Sequence, residues 1–319
     1  MFENYLYFLV IAEELNITRA AERLFVTHQC LSRYLLKLEE ACGVTLFYRK
    51  PVFSITPEGK EMLDTLRHVE LLEKNLKTRF EEALKGDAGE LRFGTTEGRF
   101  RILTPNLISR FDSEFPKVQL HVSSANSVDL RQMLMDNRLD IILTGRADKS
   151  FTLLENHLVM QEKLYVVISD GIMKKYFGNQ WKTKKKEFRK EGADLRECTE
   201  LPFCLNMPEY NSSKILERYL NDLGIQLKCV HTSSHPDLHH ILTTRDYAAS
   251  LCLTMYIPNL YRINENCDNP LNVFPIRGLE ETNPVTICHV KDRIFPRYGR
   301  ALINIIREQC ADYSTYDLL

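Results

Sequence analysis

His28, Gln29, Ser32, Arg33 and Lys37 are the side chains whose types and spacing best suit chemistry with another molecule. Leu31, Leu35 and Leu38 run between them at helical spacing and must turn inward, which leaves the polar set on the opposite face. Amide, imidazole, hydroxyl and cationic groups on one helix face can bond base edges and phosphates when that helix lies in a major groove. Thr27 stands where a hydroxyl would cap this helix. A shorter helix is expected just before it, capped by Thr18, with Arg19 beside the cap. Its Ala20, Ala21 and Leu24 form a small-residue face that lets a second helix cross closely. Two short helices, a tight turn and a following hairpin with Arg49 at its edge make the plan of a winged helix-turn-helix.

In order and spacing this segment resembles the N-terminal domain of LysR-type transcriptional regulators. The matching residues are Thr18 to Leu24, Leu31-Ser32-Arg33, Leu38-Glu39, Gly43, Leu46-Phe47 and Arg49, with Thr56 and Gly59 completing the pattern. The resemblance implies double-stranded DNA as a partner. It is taken to be contacted by Thr18, Arg19, Thr27, His28, Gln29, Ser32, Arg33, Lys37 and Arg49. His28 and Gln29 stand where the family often has Gln-Pro, so they are expected to set part of the DNA preference. Leu36 occupies a position that is usually polar.

Positioning these residues takes more chain than the segment itself. At 319 residues, 44% hydrophobic and 27% charged, the sequence suits two or three compact units with real cores. A net charge of −1 is unexpected for a nucleic-acid binder, but the charge is unevenly placed. Arg19, Arg23, Arg33, Lys37, Arg49 and Lys50 outnumber Glu22, Glu39 and Glu40 in the first segment, a local basic footprint. The apolar start is broken by Glu3, Glu13 and Glu14 and lacks a basic leader, so an amphipathic helix is expected there rather than a secretory signal. No run approaches a membrane span, and no membrane partner is expected. Nine irregularly spaced cysteines fit a reducing compartment, and the expected location is cytoplasmic.

Thr56-Pro57-Glu58 combines a hydroxyl cap, a proline at the first helical position and a carboxylate in the first turn. No further proline or glycine appears until Gly86. Met62, Leu66, Val69, Glu73, Leu76, Phe80 and Ala83 follow in alternating steps of four and three, a heptad seam interrupted at Glu73. A long helix between two domains has little of its own chain to bury that seam, so a dimerising linker helix is expected. The resemblance implies the same, with a homodimer or a dimer of dimers (a homotetramer) as the assembly.

Past residue 87 the pattern alternates. GELRFGTT, VQLHVSS and LDIILT read as strands, separated by a helix that stops at Pro116 and by one containing Leu130, Met133 and Leu134 with a left-handed stop at Asn137. Alternation of this kind argues a parallel α/β sheet. EKLYVVIS reads as a strand crossing to a second subdomain, and PVTICHV would bring the chain back. Two α/β lobes joined by two crossings resemble the effector domain of LysR-type regulators and the fold of periplasmic binding proteins. The expected division is a winged helix-turn-helix at 1–59, a linker helix at 60–88 and an effector domain at 89–319. Within the last, the first lobe takes about 89–163 and 271–319, and the second about 164–270. Residues 172–197 read as an insertion whose basic run KTKKKEFRK is a solvated surface loop.

Ligands of open α/β sheets settle at the carboxyl ends of strands. That places Thr95, Thr96, Asn126, Ser127, Thr144, Asn206 and Ser233 around a cleft for a small-molecule effector, where the resemblance also puts it. The competing expectation is that these are caps and turn residues. No cofactor and no metal site is expected. His231, His235 and His239 are spaced by four, but Pro236 would start a helix and divide them, leaving solvent-facing and capping histidines together with His240. Cys198 and Cys204 offer a redox-sensing alternative, weakened by Glu197 and Glu200 beside the first thiol. Cys30 reads as a small packing residue. No phosphate loop, nucleophile elbow or zinc-spaced cysteine set supports an enzyme. A solute-binding protein without regulatory role would leave the first 90 or so residues unexplained.

Overall fold

A computed structural model describes residues 4–316 except 86, 147, 149 and 266–268, and excepting the side chains of 81–83 and 85. Ala83, in the expected seam, therefore lies outside the described residues. The chain divides into two compact units, Met1–Leu84 and Lys85–Leu319.

The first unit contains α1 (Tyr5–Glu14), α2 (Ile17–Arg23), α3 (His28–Cys42), the short strands β1 (Phe47–Tyr48) and β2 (Ser54–Ile55), and α4 (Pro57–Lys85). Its core is apolar throughout: Phe8 and Ile11 from α1, Ala20 and Ala21 from α2, Leu31, Leu35 and Leu38 from α3, and Phe47 from the wing are all buried. Phe47 also stacks on Phe53 at 5.0 Å, which holds the hairpin to the core. Thr27 caps α3 as expected, accepting from the Cys30 amide at 3.2 Å. Thr18 does not cap α2. Asn16 does, accepting from the Thr18 and Arg19 amides at 3.0 and 3.1 Å. Both residue types are good caps, and Asn16 begins the helix two residues earlier.

The start of α4 explains two of the pattern residues. Thr56 Oγ1 accepts from the Gly59 amide at 2.9 Å and donates to the Thr45 carbonyl at 2.8 Å, so one hydroxyl caps the helix and pins the wing. Gly59 is required because a Cβ there would sit 2.2 Å from the Leu46 carbonyl oxygen. The 29-residue helix is partnered unevenly. Leu66 is buried in the unit's core, with Met62 and Val69 packed against it. Glu73 accepts from the Tyr5 hydroxyl at 2.7 Å, which accounts for the interruption in the seam. Leu72, Leu76 and Phe80 are 54%, 52% and 58% exposed. The seam thus packs within its own unit in the first half and is open only beyond it.

In the second unit the chain runs β3 (Gly89–Thr95), α5 (Glu97–Glu114), β4 (Val118–Ser124), α6 (Ser127–Met135), β5 (Ile141–Thr144), β6 (Leu154–Glu162), β7 (Leu164–Ser169), α7 (Asp170–Phe177) and α8 (Trp181–Glu191). It continues through β8 (Pro202–Asn206), α9 (Asn211–Leu223), β9 (Lys228–Ser233), α10 (Pro236–Thr244), β10 (Ser250–Leu253), α11 (Ile257–Asn264), β11 (Leu271–Pro275), β12 (Asn283–Val290) and α12 (Arg297–Ser314). The first lobe is a five-stranded sheet ordered β4-β3-β5-β12-β6, with β3, β4 and β5 parallel and β12 antiparallel to both neighbours. The second holds an antiparallel β10-β7-β11 sheet and a parallel β8-β9 pair. The chain crosses between lobes at Glu162–Leu164, as EKLYVVIS indicated. The return crossing comes later than residue 271: β11 pairs with β7 in the second lobe, and only β12 rejoins the first sheet.

Residues 172–197 are not a loop. The basic run forms α8, whose Phe188 is fully buried against Phe177 and Phe274, and Ala193, Leu195 and Cys198 are buried with it. Lysines line the other side, Lys185 pairing with Asp170 and Lys184 with Glu197, both at 2.5 Å. Phe188 and Trp181 are the apolar residues that charge counting overlooked. Asn137 does take a left-handed conformation, with φ 54°. Among the described residues no helix is long and apolar enough to cross a membrane.

Candidate functional site

The outer face of α3 carries the polar set intact. His28, Gln29, Arg33 and Lys37 are exposed and Ser32 half-buried, while the three leucines behind them hold the helix in place. Ser32 Oγ and His28 Nδ1 lie 3.5 Å apart. Arg33 and Lys37 have no ion-pair partner among the described residues, so their charges are free for an external anion. Two expected contacts differ. Arg19 is held by Glu14, with Nη2 2.7 Å from the carboxylate, and Arg23 joins the same cluster through Glu13 and Glu14. The hydrogen bond from Arg19 holds the Glu14 carboxyl below its usual range. Arg49 meets Glu39 at 2.5 Å, and Glu39 also accepts from the Leu46 and Phe47 amides at 2.8 and 3.2 Å. Both arginines remain exposed, but each must share or leave a carboxylate to reach phosphate. Cys30 is exposed on this face rather than packed inside. Sequence reasoning also missed Phe25, which is 96% exposed at the turn between α2 and α3 with φ 54°. Left-handed backbone at a bulky residue is uncommon, and nothing in the residue's type announced it.

All seven cleft candidates sit at the carboxyl ends of parallel strands or on the helix starts that follow. Thr95 and Thr144 end β3 and β5, Asn126 and Ser127 start α6, and Asn206 and Ser233 are register partners ending β8 and β9. Most of their polar atoms are already committed. The buried Thr95 hydroxyl donates to the Leu143 carbonyl at 3.0 Å, and Thr144 donates to Ser127 at 2.9 Å. Asn126 caps α6 through the Val128 and Asp129 amides, and Ser233 accepts from the His235 amide. Thr96 stands at the cap position of α5 but makes no cap bond; Arg99 Nη1 reaches its hydroxyl at 3.3 Å.

Between the lobes the structure adds a network that sequence reasoning did not find. Arg99 Nη2 donates to Glu162 at 2.6 Å, Asn283 donates to the same carboxylate oxygen at 3.0 Å, and Asn211 donates to Asn283 at 2.6 Å. Glu162 and Asn283 are the residues at the two crossings, so the hinge itself is polar and buried. Among the described residues, Glu162 Oε1, Arg99 Nε and Asn206 Oδ1 are buried without a partner. Across the mouth, Arg101 pairs with Asp237 at 3.2 Å, and His235 lies 4.0 Å from Glu97. A cavity of about 220 Å³ opens elsewhere, among Arg101, Pro105, Asn259, Arg262, Gln309 and Tyr313, and none of the seven candidates lines it.

The sensing alternatives fare poorly. Burial first, then Glu197 and Asp194, pushes the Cys198 thiol up to about 12, and burial pushes Cys204 up to about 11. Both are fully buried thiols, and all described cysteines are free. The histidines are not all solvent-facing: His231 and His235 are exposed, but His239 and His240 are buried, because α10 turns them toward β10. His240 Nε2 lies 3.3 Å from the Leu251 carbonyl.

A winged helix-turn-helix with an open polar face, a long helix and a two-lobed α/β unit defines the class of ligand-sensing DNA-binding regulators. Comparison with known families narrows it. The pattern described as "Bacterial regulatory helix-turn-helix protein, lysR family" matches residues 2–60, and "LysR substrate binding domain" matches residues 84–311. The chain belongs to the LysR family. It is 28% identical over 144 residues to the HTH-type transcriptional regulator CysB of Haemophilus influenzae, covering 44% of this chain and 45% of that protein. The matched part spans about half the length of such curated relatives. A full-length OxyR variant from Pseudomonas aeruginosa shares the fold with a TM-score of 0.66 at 19% identity, covering 95% of this chain and 92% of that one. Full-length CbnR, solved in complex with its target DNA, matches at 0.51 and 18%, covering 95% and 97%.

Proposed function

We propose that this chain is a sequence-specific DNA-binding transcriptional regulator, controlled by a small molecule held between its two lobes. The observation that carries the reading is the α3 face, where Gln29, Arg33 and Lys37 project without partners among the described residues from a helix fixed by buried leucines. Arg33 and Ser32 contact base edges, and His28 and Gln29 set part of the preference. Thr18, Thr27 and Lys37 flank the reading residues, and Arg19 and Arg49 reach phosphate by sharing their carboxylate partners. The reading assigns the chain no catalytic step.

In the cleft, Thr96 is the best single contact for the effector, since its hydroxyl caps nothing and accepts one long bond. The unpartnered Glu162 Oε1 and Asn206 Oδ1 supply further open acceptors. An effector shifts DNA binding only through its difference in affinity for two lobe arrangements, and the polar hinge at Glu162 and Asn283 is where such a difference acts. The exposed Leu72, Leu76 and Phe80 support a homodimer or dimer of dimers built through the second half of α4. Charges at Leu76 and Phe80 therefore test assembly cleanly, whereas a charge at Leu66 would disrupt the unit's own core.

Selection of genomic fragments by the purified full chain tests the reading. A few fragments should be retained at least about a thousandfold more tightly than bulk DNA. Light scattering of the complex should give at least a dimer, and the Leu76→Glu/Phe80→Glu chain should fall to monomer mass. Uniform retention of all fragments would remove sequence-specific regulation from consideration.

A further inference from the structure

We propose that Glu155, His157 and His289 bind a divalent transition-metal ion, zinc(II) being the type, at the edge of the first lobe's sheet. The residues come from β6 and β12, and Glu155 is the register partner of His289. Glu155 and His157 are two apart on one strand, so all three side chains leave the same face. One ligand-type atom from each lies within 4.8 Å of the other two. Small rotamer changes close that triangle around an ion, whose bonds to imidazole nitrogen and carboxylate oxygen run about 2.0–2.2 Å.

The set is also prepared in protonation and orientation. His289 Nδ1 lies 3.0 Å from the Val290 carbonyl oxygen. A carbonyl only accepts, so Nδ1 carries the proton and Nε2 keeps its lone pair. Metal-bound histidines commonly donate their second nitrogen in this way. The His289 ring is held by His157 and Phe295, with centroids 5.3 and 5.1 Å away. His157 and Glu155 are more exposed and already meet at 3.2 Å, which leaves an entry path from solvent. Two nitrogens and one carboxylate suit zinc, cobalt or nickel and leave a coordination position open. Magnesium and calcium prefer all-oxygen sets. The nearby Arg293 opposes a cation, but its guanidinium is drawn to Asp140 at 2.6 Å. β6 and β12 are the strands by which the chain leaves and re-enters the first lobe. An ion here ties them together at the end remote from Glu162 and Asn283.

The test is titration of the chelator-stripped full chain with cobalt(II), whose visible spectrum separates nitrogen and oxygen ligation from thiolate ligation. The nine cysteines make that separation necessary. One equivalent should bind with a nitrogen/oxygen spectrum, be displaced by zinc(II) and ignore magnesium(II). His157→Ala and Glu155→Gln, at accessible positions, should keep wild-type circular dichroism and weaken binding at least about tenfold, as loss of even a supporting group does. No saturable binding, a thiolate charge-transfer band for the bound equivalent, or undiminished affinity in both variants would overturn the assignment. DNA binding is not the readout, so the outcome is independent of the regulatory reading.

Discussion

The α3 face and the interlobe cleft are both polar, yet they are built in opposite ways. On α3 the functional groups stand in solvent with few partners, and the fold's work is done behind them by Leu31, Leu35 and Leu38. In the cleft the hydroxyls and amides are folded into the structure: Thr95, Asn126, Thr144 and Ser233 each serve a turn, a cap or a neighbouring strand. What remains open there, among the described residues, is Glu162 Oε1 at the first crossing, Arg99 Nε on α5 beside it, and Asn206 Oδ1. On the proposed reading, an exposed recognition face and a buried sensing site therefore fail differently under mutation. Changes on the first register in binding, and changes in the second register in stability as well.

The hinge is where that contrast can be broken most severely. Glu162→Ala leaves Arg99 buried without its carboxylate, and loss of one partner from such a pair costs about 3–5 kcal/mol. Denaturant unfolding should show it, and a stability within experimental error of wild type would mean that the crossing relaxes around the change.

A smaller effect of the same kind is expected from acid. Burial pushes His239 and His240 down from 6.5 to about 4. Unfolded, they bind protons as the pH falls through 6.5, whereas folded they bind only near 4. The stability of their neutral burial is therefore complete above pH 6.5 and is lost progressively toward pH 4. Across that window the melting temperature of wild type should fall more steeply with decreasing pH than that of His239→Leu. Parallel curves would show that His239 contributes nothing to the slope.

The mildest change separates sensing from folding within the cleft. Thr96→Val keeps the shape and removes a hydroxyl with one long internal bond, so stability should move by no more than about 1 kcal/mol. Basal DNA binding should persist, while effector-dependent change in DNA binding weakens. Normal response to every metabolite that shifts wild type would move the pocket away from Thr96.

Legibility follows the same division. The α3 face, the Thr27 and Thr56 caps, the left-handed Asn137 and the first crossing could be read because each depends on residues a few positions apart. The Arg99–Glu162–Asn283 network could not, since its members are 63 and 121 positions apart and each looks like an ordinary surface residue. Asn16 displaced Thr18 because two good cap types compete and only the helix's actual start decides. Arg19 and Arg49 read as free cations until the fold brought Glu14 and Glu39 to them. α8 was hidden because six basic residues drew attention from Phe188, which is fully buried, and Trp181, which packs partly buried beside it. The later return crossing was missed for want of any local mark on β11, which would read equally well in either sheet.

Arg33→Ala tests the central claim most directly, in a gel-shift titration at fixed salt on a fragment selected by the wild-type chain. Arg33 is exposed and has no ion-pair partner among the described residues, so the variant's melting temperature should match wild type while DNA affinity falls by about 1–3 kcal/mol and discrimination against substituted fragments relaxes. Unchanged affinity with an intact fold would remove Arg33 from the reading face and, with it, the assignment of α3 as the helix that reads DNA.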